Sequence, residues 1–297
     1  MKPLIIWLIL CIVWGTTWIF IKLGLNDLPP ISFAALRFTV ACLILFPILK
    51  FQKIEIPKGK KVWTFILLTG FLQFCFNYGL LFWGEQHITS GLAAVLQATI
   101  PVFGLILARI YVGEVITGLK IASILLGIAG VAVIFQEQLV LNGQMAFFGS
   151  FAVVIGAFGA AYASVLTKAK GVSFHPASLV FSQMLVGHIP LWIVGISTEG
   201  NPLNLRWTWQ AVICVFYLAI VGSIIAFWLY YWLLAKIDVS KAMMIAFVTP
   251  LVAVFVGSFF GEKLYIQTLF GGILILLSVG LIVMKFSPQR RGDAEKS

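Results

Sequence analysis

Arg37 stands inside an apolar stretch, Ile31 to Leu49, that is otherwise free of charge. A guanidinium there costs several kcal/mol unless it is paired or hydrated. The readings that fit it are holding or gating a substrate carboxylate, or a structural role in which it snorkels or bonds helix-end carbonyls. Glu85 is its candidate partner, with a simply solvated loop carboxylate as the alternative. Elsewhere, polar and aromatic residues recur at helical spacing. Trp14, Thr17 and Trp18 share a face, and Gln73 and Asn77 lie one turn apart with Tyr78 adjacent. Ser90, Ala94, Gln97 and Pro101 form a third stripe, and Ser223, Phe227, Tyr230 and Tyr231 a fourth. Amides and hydroxyls in apolar surroundings need partners, so these faces are expected to point inward, as interhelical glue or as the wall of a binding chamber. Both readings stay open for Gln73, Gln97 and Ser223. Trp14, Asn77 and Tyr230 are the expected ligand contacts, with Thr17, Tyr78, Gln97 and Arg37 completing a substrate-binding set.

Other chemistries find little support. His87, His175 and His188 do not cluster as zinc ligands would, so no metal or other cofactor is expected. Cys11, Cys42, Cys75 and Cys214 fall in apolar runs without a CxxC pair and read as buried small hydrophobes. The phosphate-binding glycine–lysine loop of nucleotide hydrolases is absent, which argues against direct ATP use. A membrane transferase would need acidic metal-binding pairs, yet no Asp lies inside an apolar span. The chain is therefore not expected to be an enzyme.

The elements that position these residues follow from composition. Of 297 residues, 61% are hydrophobic and 10% charged, against roughly half and a quarter in soluble domains. The lipid bilayer is thus the expected partner. Breaks at Pro, Gly, Asn and charge predict ten spans: Pro3 to Gly24, Ile31 to Leu49, Lys61 to Gly84, Ile88 to Val112, Leu119 to Phe135, Met145 to Thr167, Pro176 to Ile196, Trp209 to Leu234, Val239 to Phe260 and Leu264 to Lys285. The first run is too long for a signal-peptide core and lacks a small-residue cleavage site, so it is expected to remain as a helix. With the N-terminus inside, Lys50, Lys53, Lys58, Lys60, Lys61, Lys120, Lys168, Lys170, Lys236, Lys241, Arg290 and Arg291 fall on the cytoplasmic side, and only Lys22, Arg206 and Lys263 outside. That asymmetry predicts cytoplasmic termini. It also explains the net charge of +10 without a nucleic-acid partner, since no basic cluster sits beside aromatic residues in a polar segment.

The sequence repeats itself. Ile88, Ala93 and Pro101 recur as Ile237, Ala242 and Pro250 at one offset, Gly113-Glu114 recurs as Gly261-Glu262, and Pro30-x-Ser32 as Pro176-x-Ser178. Five helices against five means that the second copy crosses in the opposite sense, an inverted repeat. Residues 1–140 and 141–287 are the expected repeats and 288–297 a basic cytoplasmic tail. Pro101 and Pro250 interrupt helix bonding at equivalent points and are candidate hinges, with a static kink as the alternative. Gly156, Gly159, Ala160 and Ala163, and the pair Gly257 and Gly261, read as close-packing surfaces. Trp83, Trp207 and Trp209 are assigned to interfacial aromatic belts.

Trp14-Gly15, Lys22, Pro29-Pro30, Arg37-Phe38, Thr89-Ser90-Gly91-Leu92-Ala93-Ala94, Pro101-Val102-Phe103 and Gly113-Glu114, with Pro250 and Gly261-Glu262-Lys263-Leu264 in the second copy, resemble the EamA family of the drug/metabolite transporter superfamily. The resemblance covers nearly the whole chain, and Gln183 stands where the second copy would carry its arginine. It implies an all-α, ten-helix bacterial inner-membrane carrier of small organic solutes such as amino acids, commonly exporting them through a central cavity. A coupling proton is compatible with that, although no acidic residue clearly at mid-membrane supports it. The rivals are a sugar-phosphate or nucleotide-sugar antiporter, which should carry paired Lys/Arg deep in the late helices, and a non-transporting scaffold or receptor.

Overall fold

The structure is a computed structural model, and it describes residues 3–88, 90–136, 139, 143–259 and 266–283. Thr89, Gly261-Glu262-Lys263-Leu264 and the basic tail lie outside the described residues. Among those described, the chain is all-helical. Its helices are α1 (Pro3–Gly24), α2 (Pro30–Phe51), α3 (Lys60–Gly70), α4 (Asn77–Glu85), α5 (Ser90–Gln97), α6 (Ile100–Val112), α7 (Gly118–Ile134), α8 (Gln144–Leu166), α9 (Pro176–Glu199), α10 (Trp209–Ala219), α11 (Ala226–Leu234), α12 (Val239–Met243), α13 (Ile245–Ser258) and α14 (Ile266–Val283). Eight helical segments are long and apolar enough to cross a membrane, while Gly118–Ile134 and Ile266–Leu281 are apolar but shorter. Large apolar side chains such as Leu43, Leu125 and Ile193 remain exposed along them, as a lipid-facing surface requires.

Among the described residues three spans contain a π turn, one of which, Thr167–Gly171, extends α8. Phe71–Phe76 joins α3 to α4, and Ile220–Ile225 joins α10 to α11. Each lodges one extra residue in the helix, so hydrogen bonds skip a carbonyl. The Asn77 N–H bonds the Leu72 carbonyl, and the Ala226 N–H bonds those of Val221 and Ser223, passing over Gly222. The fourth expected span is likewise divided, between α5 and α6, just before Pro101, whose ring removes an amide donor and crowds the preceding turn. In the ninth span the break comes at Met244, and α13 continues through Pro250.

Two pairs of spans form long seams. α2 and α9 are tied at one end by Glu199, whose carboxylate accepts from the Ile31 and Ser32 amides at 2.8 and 2.7 Å. At the other end the Ser178 hydroxyl donates to the Glu55 carbonyl at 2.7 Å. Glu199 thereby satisfies amides that Pro29 and Pro30 leave open at the start of α2. Along α7 and α14, Ser123 Oγ donates to the Ser278 carbonyl, and Ser278 Oγ returns a 2.6 Å bond to the Ser123 carbonyl. Two turns on, a Cβ added to Gly130 would stand 2.7 Å from the Gly271 carbonyl oxygen. The small-residue surface of α8 also packs closely. A Cβ on Gly156 would meet the Asn77 carbonyl at 3.2 Å and one on Gly159 would meet Phe76 at 2.8 Å, which seats α8 against α4 and its π turn.

Candidate functional site

A cavity of about 160 Å³ lies among α1, α2, α4, α8, α11 and the segmented spans α5–α6 and α12–α13. Every expected binding residue borders it: Trp14, Thr17, Arg37, Asn77, Tyr78, Gln97 and Tyr230. Helical spacing brings them together. Trp14, Thr17 and Trp18 present one stripe of α1, while Asn77, Tyr78, Leu81, Phe82 and Glu85 climb one face of α4. Gln73, Ala94 and Phe227 also border the cavity, as does Pro250, whereas Pro101 is buried outside the lining. Ser223 and Tyr231 stand behind the wall.

Aromatic rings from three helices stand in the otherwise aliphatic and polar wall. The Trp14 ring meets Phe227 at 5.4 Å and Tyr230 at 5.2 Å, both edge to face. Phe38 meets Tyr78 at 5.2 Å in the same manner. Such pairs contribute roughly 1 kcal/mol each beyond area burial and fix ring orientation. Among the polar members, the Gln97 side-chain amide points its Nε2 at the Asn77 side-chain Oδ1, at 3.5 Å. That distance is at the limit of a hydrogen bond, so both amides keep capacity for a ligand. Thr17 bonds back to its own helix, to the Trp14 carbonyl at 2.6 Å.

Arg37 is among the largest fully buried side chains, and it bonds a backbone carbonyl, as one of the structural alternatives had it. Its Nε donates to Ser223 Oγ at 2.8 Å and its Nη2 to the Gly222 carbonyl at 2.9 Å. This is the carbonyl that the π turn strips of its helical donor, and the Trp14 indole N–H reaches it as well, at 3.3 Å. The guanidinium carbon lies 5.0 Å from the Tyr78 ring centre and 5.2 Å from that of Phe38, in cation–π range. A planar multi-donor head is what this pocket demands.

Gln183, marked in the sequence only as a departure, proves to be a junction. Its amide donates to Thr69 Oγ1 at 2.6 Å, and its carbonyl accepts from the Tyr231 hydroxyl at 2.5 Å. It thus ties α9 to α3 and α11, much as Arg37 ties α2 to the π turn ahead of α11. No sequence signal beyond its alignment with Arg37 points to that role.

About one turn from the cavity residues Ala242 and Met243 lies a largely buried ionic network. The Glu114 carboxylate, in the loop where left-handed Gly113 ends α6, accepts from the Val239 and Ser240 amides at 3.1 and 3.4 Å and from the Ser240 hydroxyl. Lys120 Nζ lies 2.7 Å from Glu114 and 3.4 Å from Asp238, and Lys241 lies 3.3 Å from Asp238. Glu114 thus anchors the start of a helix more than a hundred residues downstream. Trp83 is half-buried and packs edge to face on His87 at 4.9 Å, whereas Trp207 and Trp209 are exposed. No group of three or more His, Cys, Asp or Glu side chains fit to hold a metal occurs among the described residues.

Comparison with known proteins gives a consistent result. The family model described as the EamA-like transporter family matches residues 1–136 and 147–284. The chain is 26% identical to the "Uncharacterized transporter YoaV" of Bacillus subtilis over 94% of this chain and 96% of that one. It is 29% identical to the "Uncharacterized inner membrane transporter YedA" of Escherichia coli K12, over 93% and 89%. A "Probable amino-acid metabolite efflux pump" of the same organism is 27% identical over 94% and 93%. In fold, one solved crystal structure superposes with a TM-score of 0.83 at 15% identity, covering 96% of this chain and 98% of that one.

Proposed function

We propose, from the premise that the chain belongs to the EamA-like transporter family and is a multi-pass bacterial membrane protein, that it is a secondary exporter of small organic metabolites such as amino acids. It works by alternating access around the cavity. The single observation that carries this reading is that cavity: a wall of aliphatic and aromatic side chains, two incompletely engaged amides and a fixed guanidinium, contributed by both halves of the chain. Its volume equals that of roughly ten waters at ~15 Å³ each, which suits a small metabolite better than a nucleotide-sugar. Arg37 is also the one Lys or Arg among its described lining residues, so the paired cations expected of a sugar-phosphate antiporter are not there.

Alternating access requires two related halves, and several features support ten spans arranged as inverted repeats over 1–140 and 141–287. Two of the π turns start at Phe71 and Ile220, the same offset that relates Pro101 to Pro250. In the α7–α14 seam, Gly118 and Ile266 open the two helices, so Ser123 corresponds to Gly271 and Gly130 to Ser278. A two-fold axis then carries the Ser123–Ser278 contact onto Gly130–Gly271. Arg37 and Gln183 each bridge the halves in the same sense. The Glu114 network joins the first half to the start of α12 and closes one end of the cavity. With both termini and the tail 288–297 cytoplasmic, that closed end is the cytoplasmic one.

A thermal-shift screen of the purified protein against amino acids and related metabolites tests the reading, because a ligand of the folded state raises apparent stability by mass action. Flux of the hits in proteoliposomes then separates carrier from scaffold. Trp14→Ala and Asn77→Ala should each abolish or re-tune that flux with unchanged melting temperature. Unchanged affinity in both variants would move the site elsewhere.

A further inference from the structure

The cavity has an acidic member that the binding reading leaves unused. Glu85 closes α4 and borders the cavity together with Trp18, Ile21, Leu81 and Phe82. Its side chain is half-buried, its Oε1 is fully buried, and that oxygen has no hydrogen-bond partner. An ionised carboxylate oxygen without a donor in an apolar wall carries a desolvation penalty of several kcal/mol, which a proton removes. The fold does not need an acid here. α4 and α11 begin at Asn77 and Ala226 and end at Glu85 and Leu234, so the counterpart of Glu85 is Leu234, which is completely buried. A leucine satisfies the equivalent packing position.

We infer that Glu85 is a proton-binding site of the transport cavity: it holds a proton when packed against the wall as here and gives it to water when the cavity hydrates. The inference rests on the carrier reading above and adds to it the control of cavity charge. With Glu85 neutral, Arg37 is the sole ionised group of the described lining, and the cavity attracts a carboxylate. With Glu85 ionised, the two charges cancel, and the attraction fades. Binding of an anionic group and of a proton are thereby linked in one chamber. The other titratable groups bordering the cavity are Arg37 from α2, Tyr78 from α4 itself and Tyr230 from α11. The described lining residues of α1, α5, α6, α8, α12 and α13 contribute none. Lys22 of α1, Cys75 of the π turn and His87 beyond α4 flank the lining without bordering it.

The carboxyl stretching band in infrared spectra reads this directly, since none of the guanidinium, phenol, amine, thiol or imidazole groups absorbs as a carboxylic acid. Spectra of the carrier in nanodiscs, from mildly acidic to mildly alkaline pH, should show one carboxylic-acid band that vanishes as pH rises. It should be missing in Glu85→Gln and Glu85→Leu and shifted in Glu85→Asp. Glu85→Leu copies the residue at the equivalent position, so it serves if the glutamine variant does not fold. A band unchanged in both substitutions, or a wild-type protein without such a band across the range, overturns the proposal. The measurement needs no substrate, so it stands or fails separately from the metabolite screen.

Discussion

If the Glu114 network closes one end of the cavity as proposed, removing the Glu114 carboxylate should unlatch that end. In Glu114→Ala, the Val239 and Ser240 amides and the Ser240 hydroxyl lose their acceptor, and Lys120 loses its closest partner, at 2.7 Å. Breaking a buried ion pair by deleting one member costs about 3–5 kcal/mol. The low end applies, because Lys120 keeps Asp238 at 3.4 Å and the Val115 carbonyl at 3.0 Å. About 3 kcal/mol, at ~1.4 kcal/mol per factor of ten, shifts the equilibrium toward the unlatched state by roughly a hundredfold. A cysteine at Thr249, a buried cavity residue, reports this on a background without Cys11, Cys42, Cys75 and Cys214. In inside-out vesicles, its modification by a membrane-impermeant thiol reagent should accelerate about a hundredfold when opening limits labelling. As the control, Lys58→Ala breaks an ion pair whose members are each 80% exposed, and such pairs contribute little. Thiol reactivity in Glu114→Ala equal to that of the control, in protein of normal melting temperature, would refute the latch.

Arg37→Lys should lower the melting temperature and substrate affinity together, because an ammonium cannot reach Ser223 Oγ and the Gly222 carbonyl in the guanidinium's fork geometry; a lysine variant indistinguishable from wild type would show that charge alone suffices. Gly130→Ala should destabilise the α7–α14 seam by about 1–3 kcal/mol, read as a lowered melting temperature, since its Cβ would press on the Gly271 carbonyl oxygen; no change would mean that the seam yields. Cysteines at Asn201 and Gly59 should label oppositely in intact cells with an impermeant maleimide, Asn201 reactive and Gly59 protected, and the reverse pattern would invert the topology.

The stripes that build the cavity were legible because side-chain direction along a helix follows from spacing alone. Trp14 and Thr17, or Asn77 and Tyr78, must share a face whatever packs against it. The π turns were not legible. Phe71–Phe76 and Ile220–Ile225 carry no Pro, and their polar Gln73 and Ser223 fit ordinary helical stripes; what defines the second turn is a carbonyl claimed by Arg37 and Trp14 from other helices. Pro101 marked its break because a missing amide is a local defect. Pro250 did not, since α13 absorbs it and the chain breaks at Met244 instead. Glu114 was visible as a charge beside a glycine, but its partners are set by tertiary contact. Glu85 could be named from sequence but not placed, because the wall that leaves its Oε1 unpartnered comes from other spans.

The contacts of Arg37 bear on how the protein is made. Its two hydrogen-bond partners lie 185 and 186 residues downstream, so a ribosome that has delivered the first half has placed a guanidinium in the bilayer with neither acceptor yet synthesised. Insertion scales put an arginine at mid-helix near ~3 kcal/mol. Pro30–Phe51, which holds an 18-residue stretch of mean hydropathy 2.1 even with Arg37 counted, must stay in place until the Ile220–Ile225 turn arrives. A nascent chain truncated before that turn should therefore be the form in which quality-control proteases find the second helix, and Arg37→Leu should lengthen the lifetime of that fragment while it weakens the finished protein.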